Sequence, residues 1–353
     1  MKRSSLCLIS LLAVLVFAGA GCFSKGEVNT STDGGVWKSV DGAVSWQQAV
    51  AIPTSSGVSS AAGTNILALA VDPNDPDALY AGLTGDGMLY SYDGATSWQQ
   101  PRDASVRTGA VTSVAVDPSN KCRVYVARGE RIFKTEDCNR SFEEIYVETK
   151  GGVIVTMLAV DWFSTDSLYA AFSDGTILKS SDRGARWAIS YRGRQAVTSL
   201  IVSHADSRVL LAGMAGTGIA RSQDGGSTWE VILDPLRPYR DAARVVAITQ
   251  DATGSAIYVA TYYGILRSFD QGTSWEPLEL LTAPNQVIPS AVAVDPGHPN
   301  ILLYGVDNSL YRTEDGGANW SVQKLPTTRA ISTILFHRTQ SNIVYLGVIK
   351  REK

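Results

Sequence analysis

Short apolar runs recur along the chain and several end in Asp-Pro: Ile66 to Val71 before Asp72-Pro73, Val111 to Val116 before Asp117-Pro118, and Ala291 to Val294 before Asp295-Pro296. Val153 to Val160, Val197 to Val202 and Val245 to Thr249 follow the same outline. Proline cannot donate to a sheet ladder, so Asp-Pro reads as the stop after a strand. A second apolar segment with Tyr follows, as in Leu79 to Gly82, then a Gly-containing turn and a third segment, Gly87 to Ser91, and then a fourth, Trp98 to Gln100. Each unit therefore predicts four short strands. The near-continuous Val, Ile, Leu and Ala of the first strands predicts burial on both faces.

Between the third and fourth segments sits an octet, clearest in Ser222-Gln223-Asp224-Gly225-Gly226-Ser227-Thr228-Trp229. Its outline is Ser or Thr first, Asp third, Gly fourth or fifth in most copies, and an aromatic eighth. Six more copies start at Ser39, Ser91, Thr135, Ser180, Ser268 and Thr313, so that successive starts stand 52, 44, 45, 42, 46 and 45 residues apart. A period of this length marks a repeat architecture. The carboxylate of Asp224 can accept from backbone N–H groups just after it, the following Gly supplies positive φ, and the first hydroxyl can join the same network. The closing Trp offers a large apolar surface to a neighbouring unit. Asp41, Asp93, Asp137, Asp182, Asp224, Asp270 and Asp315 are thus read as turn-forming.

Four strands per period and seven octets predict an all-β fold, a seven-bladed β-propeller of four-stranded blades. The chain opens with only a third and fourth strand (Gly35 to Ser39, Ser45 to Ala49) and ends with only a first and second (Ile331 to Phe336, Ile343 to Val348). Joined, they complete one shared blade and leave no free sheet edge. The octets resemble the Asp-box, or BNR repeat, of sialidases, sortilin-type receptors, xyloglucanases and photosystem II assembly factors. That resemblance spans residues 35 to 349 and implies structural, not catalytic, aspartates. The Ala70-Val71-Asp72-Pro73 and Leu79-Tyr80 segments are similar to those of xyloglucanases, whose site takes one carboxylate from each of two facing propellers. One propeller here is half of that apparatus.

The leader changes the picture. Lys2 and Arg3 precede an apolar run from Leu6 to Phe17, then Ala18-Gly19-Ala20-Gly21-Cys22. The run is too short for a membrane span and is followed directly by small residues, so residues 1–21 read as an export signal. The Gly-Cys step resembles a lipobox, which implies lipidation of Cys22, with ordinary secretion as the alternative. Residues 22–34 read as a flexible tether and 35–353 as the propeller, a monomer held to a membrane of the bacterial cell envelope through its lipid alone. Loss of the leader takes the formal net charge from -3 to about -5, which argues against nucleic acid as a partner. In an oxidising compartment Cys122 and Cys138 can pair, because first-to-second and third-to-fourth turns share one side of the sheet; two separate thiols are the alternative.

Candidate chemistry is sparse. His204, His298 and His337 lie in separate units and predict no metal-ligand cluster, and no motif calls for a cofactor. Binding is expected on the face opposite the octets, where fourth-to-first loops gather Arg192, Arg194, Arg237 and Arg240 among other cations. Leu236-Arg237-Pro238-Tyr239-Arg240 joins basic and aromatic groups, with Tyr262 and Tyr263 expected alongside from the next unit. The sequence thus points to a non-catalytic scaffold for a protein or glycan ligand, with a glycoside hydrolase or carbohydrate-binding protein as the alternative.

Overall fold

The computed structural model describes residues 32–351. The expected export signal, Cys22 and most of the expected tether lie outside these. The described chain is a ring of seven antiparallel blades, six of them four-stranded. We number blades 1 to 6 in chain order by their first strands: Ile66–Val71, Val111–Val116, Val155–Val160, Val197–Val202, Val245–Gln250 and Ala291–Val294. In blade 1 the fourth strand is reduced to a single bridge between Tyr90 and Gln99.

The closing blade is built from both ends, in the order Gln47–Ala49, Val36–Ser39, Val344–Ile349, Ala330–Phe336. Val36–Ser39 runs antiparallel to Val344–Ile349 with Trp37 opposite Leu346. Asp33 and Gly34, assigned by sequence to the tether, take part in the closure: Thr328 N–H donates to Asp33 at 2.6 Å and Gly34 N–H to the Ala62 carbonyl at 2.8 Å.

The burial of the strands corrects one expectation. The second strands, not the first, are covered on both faces: Leu79–Leu83, Leu168–Phe172, Leu210–Met214 and Ile257–Thr261 are buried at every position. The first strands line the axis and most mix buried with half-buried residues, as in Val111–Val116, although Ala291–Val294 of blade 6 is buried throughout. Both strands are rich in Val, Leu, Ile and Ala; the ring geometry ranks them, because the first strand is the sheet edge at the axis whereas the second has a sheet neighbour on each side and a blade on each face. Close stacking needs a small residue in the second strand. A Cβ on Gly82 would lie 2.4 Å from the Val111 carbonyl oxygen, and one on Gly347 2.5 Å from Ile66 Cγ2. Ala127 and Ala260 stand at the matching register.

The octets tie neighbouring blades together as well as closing their own hairpins. Lys38 and Lys179 donate to the Gly94 and Gly225 carbonyls of the next blade's octet at 2.7 and 2.6 Å. In the reverse direction Trp98 Nε1 donates to the Ala49 carbonyl at 2.7 Å and Trp229 Nε1 to Ser190 Oγ at 2.9 Å. Cys122 and Cys138 form a disulfide across the expected pair of turns. A hairpin of Ala51–Thr54 and Gly57–Ser60, exposed along its second strand, was not foreseen, because its Ser- and Gly-rich sequence has no apolar alternation. Its base is held by Trp98, whose N–H donates to the Ala51 carbonyl at 2.8 Å.

Candidate functional site

The seven octet carboxylates are fully engaged within their own turns. In each the first hydroxyl donates to the Asp, as Ser222 does to Asp224 at 2.9 Å and Thr313 to Asp315 at 2.7 Å. The backbone N–H and side chain of the octet's seventh residue also donate: Thr228 to Asp224 at 2.8 and 2.6 Å, Asn319 to Asp315 at 2.8 and 2.8 Å. This seventh position was not singled out by sequence. Side-chain donation from it, then its N–H, holds Asp137, Asp182, Asp224 and Asp315 down to about 2, and Asp41 lower still. For Asp93 and Asp270 burial pulls upward, but the hydrogen bonds together outweigh it and the net direction is also down. A carboxylate so held is a poor general acid at neutral pH.

The same geometry sets an acid limit. A carboxyl group whose folded value is depressed stabilises the fold fully above its unfolded value, near 3.8, and that stability disappears as pH falls through the folded value near 2. Denaturant midpoints are therefore expected to hold above about pH 5 and to drop steeply between about pH 4 and pH 2. A midpoint flat across that window would show that the octets do not act in this way.

On the opposite face the loop 233–244 is anchored rather than free. Leu236 and Ala242 are buried, Tyr239 donates to the Trp275 carbonyl at 3.0 Å, and its ring meets Tyr263 at 5.2 Å. Tyr262 lies beneath Arg244, whose guanidinium carbon is 3.5 Å from the ring centre. The expected neighbourhood of this loop and Tyr262-Tyr263 is therefore present, but both Tyr239 and Tyr263 are spent on packing. Arg237 and Arg240 are exposed and lie beside Asp234 and Asp241 at 3.1 and 3.4 Å. Arg192 and Arg194 stand on the preceding loop, exposed, and form no ion pair among the described residues. The basic character of this face thus rests on Arg192, Arg194 and Arg244 more than on the 237–240 segment.

The octet face holds a second feature at the axis. Each first strand ends on a side chain that caps its turn: Asp72 accepts from Asn74 N–H at 2.8 Å, Asp161 from Phe163 N–H at 2.8 Å, and His337 Nδ1 from Gln340 N–H at 3.2 Å. The residue after each cap rings the axial mouth, and there the sevenfold pattern breaks: four blades carry Pro73, Pro118, Ala252 and Pro296, and the other three carry Trp162, His204 and Arg338. Of these three, the sequence singles out only His204, and only as a histidine set apart from the others and so from any metal-ligand cluster. The available signal was positional, a large or charged residue where the sister repeats hold Pro.

The chain matches no established protein-family profile. Over 208 residues it is 29% identical to a xyloglucanase of Paenibacillus sp, a stretch covering 46% of this chain and 19% of that protein. A xyloglucanase of Hypocrea jecorina (strain QM6a) is 26% identical over 183 residues, 40% of this chain and 22% of that protein. The matched stretches thus span about a fifth of the length of these curated relatives. Among solved structures, the GH74 xyloglucanase from Xanthomonas campestris superposes with a TM-score of 0.67 at 16% identity, over 80% of this chain and 51% of that one. YCF48 bound to D1 peptide superposes with a TM-score of 0.62 at 16% identity, over 86% of this chain and 96% of that one. At these identities the likeness establishes one thing, the propeller that this chain shares with xyloglucanases and with YCF48.

Proposed function

We propose that this protein is an exported, lipid-anchored binding propeller without catalysis of its own, which presents the face opposite the octets to a protein or glycan partner. The observation that carries this reading is the division of charge between the faces. The repeat's carboxylates are locked into turns on one side, while Arg192 and Arg194 stand exposed and without an acidic neighbour on the other. A patch of one sign on a chain of net charge -3 steers partners of the opposite sign. The disulfide fits an oxidising compartment, and export is further supported by similarity to the extracellular domain of BT4673 from B. thetaiotaomicron, at 18% identity. Lipid attachment at Cys22 rests on the leader alone.

A second reading, a glycoside hydrolase or a glycan-binding relative of one, is favoured by the 29% identity to a xyloglucanase. Hydrolysis needs two carboxyl groups about 5 to 10 Å apart across the scissile bond, and the octet aspartates are not free to supply them. Incubation with xyloglucan separates the readings: release of reducing ends sinks the scaffold, whereas binding without turnover makes it a lectin-like module. For the scaffold itself, the double substitution Arg192→Glu, Arg194→Glu is expected to cut partner recovery from native membranes at least about tenfold, chiefly through slower association, with an unchanged melting temperature. Unchanged recovery removes this face from consideration. Arg237→Glu is expected to do less, because Asp234 already offsets that charge.

A further inference from the structure

Three residues that break the repeat meet across the axis. Trp162 of blade 3 and His204 of blade 4 pack edge to face, ring centres 4.4 Å apart. Arg338 comes from the closing blade, three blades distant in either direction round the ring, and places its guanidinium 4.9 Å from the Trp162 ring centre. The bridge divides the axial mouth into two lobes of about 290 and 210 Å³ that share Ile201, His204 and Gln250.

The guanidinium is only half satisfied. Arg338 is partly buried and makes no hydrogen bond or ion pair among the described residues; its one close partner is the Trp162 ring. Asp72 is the carboxylate whose charge acts on it; its Oδ1 is committed to its own turn through Asn74 and Asp75, and its buried Oδ2 has no hydrogen-bond partner. Burial and then the charge of Arg338 hold His204 below its usual range, so the imidazole is neutral at pH 7 and adds no competing cation. Gln250 is also spent, accepting from His204 N–H and donating to the Val202 carbonyl. What remains is one cation with unused donors at the edge of a lobe walled by Ile248, Val294 and Leu335; the carboxylate that also lines this lobe, Asp251, accepts from Thr253, Ser255 and Ala256 N–H in its own turn.

We propose that this axial mouth is a binding site for a small carboxylate with an apolar body, its two oxygens on the Arg338 fork and its body in the larger lobe. A planar guanidinium with free donors pairs best with a carboxylate, in two parallel hydrogen bonds. The lobe's volume is at the lower end for ligand sites, about 300 Å³, which excludes a polymer chain. A sugar would need an open aromatic face, and that of Trp162 is covered by Arg338. The site lies on the octet face and so stands or falls apart from the partner surface proposed above.

Titration calorimetry of the purified protein with 3-phenylpropionate and with its neutral amide tests it. The acid is expected to bind at least about tenfold more tightly than the amide. Arg338→Met should abolish that preference, and Arg192→Met should leave it intact. The acid is also expected to change tryptophan emission in the parent protein and not in Trp162→Phe, a readout that survives if Arg338→Met fails to fold. Equal affinity for acid and amide, no binding at about 10 mM, or full acid affinity in a folded Arg338→Met protein overturns the proposal.

Discussion

A chain ending at Leu325 is expected to lose cooperative unfolding altogether. The cut removes Ala330–Phe336 and Val344–Ile349, the two inner strands of the closing blade, and leaves Val36–Ser39 paired only with Gln47–Ala49. Val344, Tyr345, Leu346 and Val348 are fully buried, and Ile331 is almost so. At roughly 1.5–3 kcal/mol for each buried side chain, their loss amounts to about 10 kcal/mol, the scale of a whole domain's stability. Blade 1 also loses a neighbour, since Ser332 Oγ donates to the Ile66 carbonyl at 2.7 Å and the Ile66 side chain packs on Gly347. Calorimetry on the truncated chain should show no sharp transition, with the exposed edges of Val36–Ser39 and blade 1 driving aggregation. A single sharp endotherm near that of the parent would mean that the six complete blades stand alone, and that the closure is ornamental.

The ring was legible in the sequence because its two signals are local. Asp, Gly and Trp at fixed offsets describe a turn that needs no distant partner, as Asp224, Gly226 and Trp229 show, and seven copies in register determine the blade count. The shared closing blade followed from arithmetic on which strands each end lacked. Less could be read where two segments have nearly the same composition and differ mainly in what surrounds them. The first and second strands differ by little more than a Thr or Ser, such as Thr156, and it is the ring that seals Leu168–Phe172 while Val155–Val160 faces the axis.

The candidate site was legible in part for a related reason. Arg237, Tyr239 and Arg240 look like a binding loop in sequence, because basic and aromatic residues side by side are common in interfaces. Tyr239 instead serves as a packing anchor on Tyr263 and Trp275, and the two arginines lie beside acids one or three residues away in the chain. The acids are visible in the sequence, but the packing of Tyr239 against the next blade is not. Conversely Trp162, His204 and Arg338 are isolated in sequence, 42 and 134 residues apart, and become neighbours only because a ring brings equivalent positions to one axis.

Arg329→Met is expected to be the most damaging single substitution among the arginines, by about 3–5 kcal/mol. Its side chain is only 5% exposed and ties together three stretches of chain that meet at the closure. Nη1 donates to the Thr64 carbonyl at 2.6 Å and to Asn65 Oδ1 at 2.7 Å, Nη2 to the Gly63 carbonyl at 3.1 Å, and Nε lies 3.5 Å from Asp33. Asp33 in turn accepts from Thr328 and Thr327, so one guanidinium links the start of the propeller, the approach to blade 1 and the last loop. Methionine fills similar space but removes these contacts together and takes the cation from beside Asp33, although the Thr64 carbonyl and Asn65 Oδ1 keep Gly35 N–H and Lys350 N–H as donors; a partly buried carboxylate that loses its cation carries most of the cost. At roughly 2–4 °C per kcal/mol for a domain of 150–250 residues, the melting temperature should fall by about 6–20 °C. Arg237→Met, which breaks an ion pair exposed on both sides, should change it by less than about 2 °C. Hydrogen exchange sharpens the test. If Arg329 acts as the clasp, amides of Val36–Ser39 will exchange faster in Arg329→Met while those of Leu210–Met214, far from the closure, keep their protection; uniform acceleration would indicate plain global destabilisation instead.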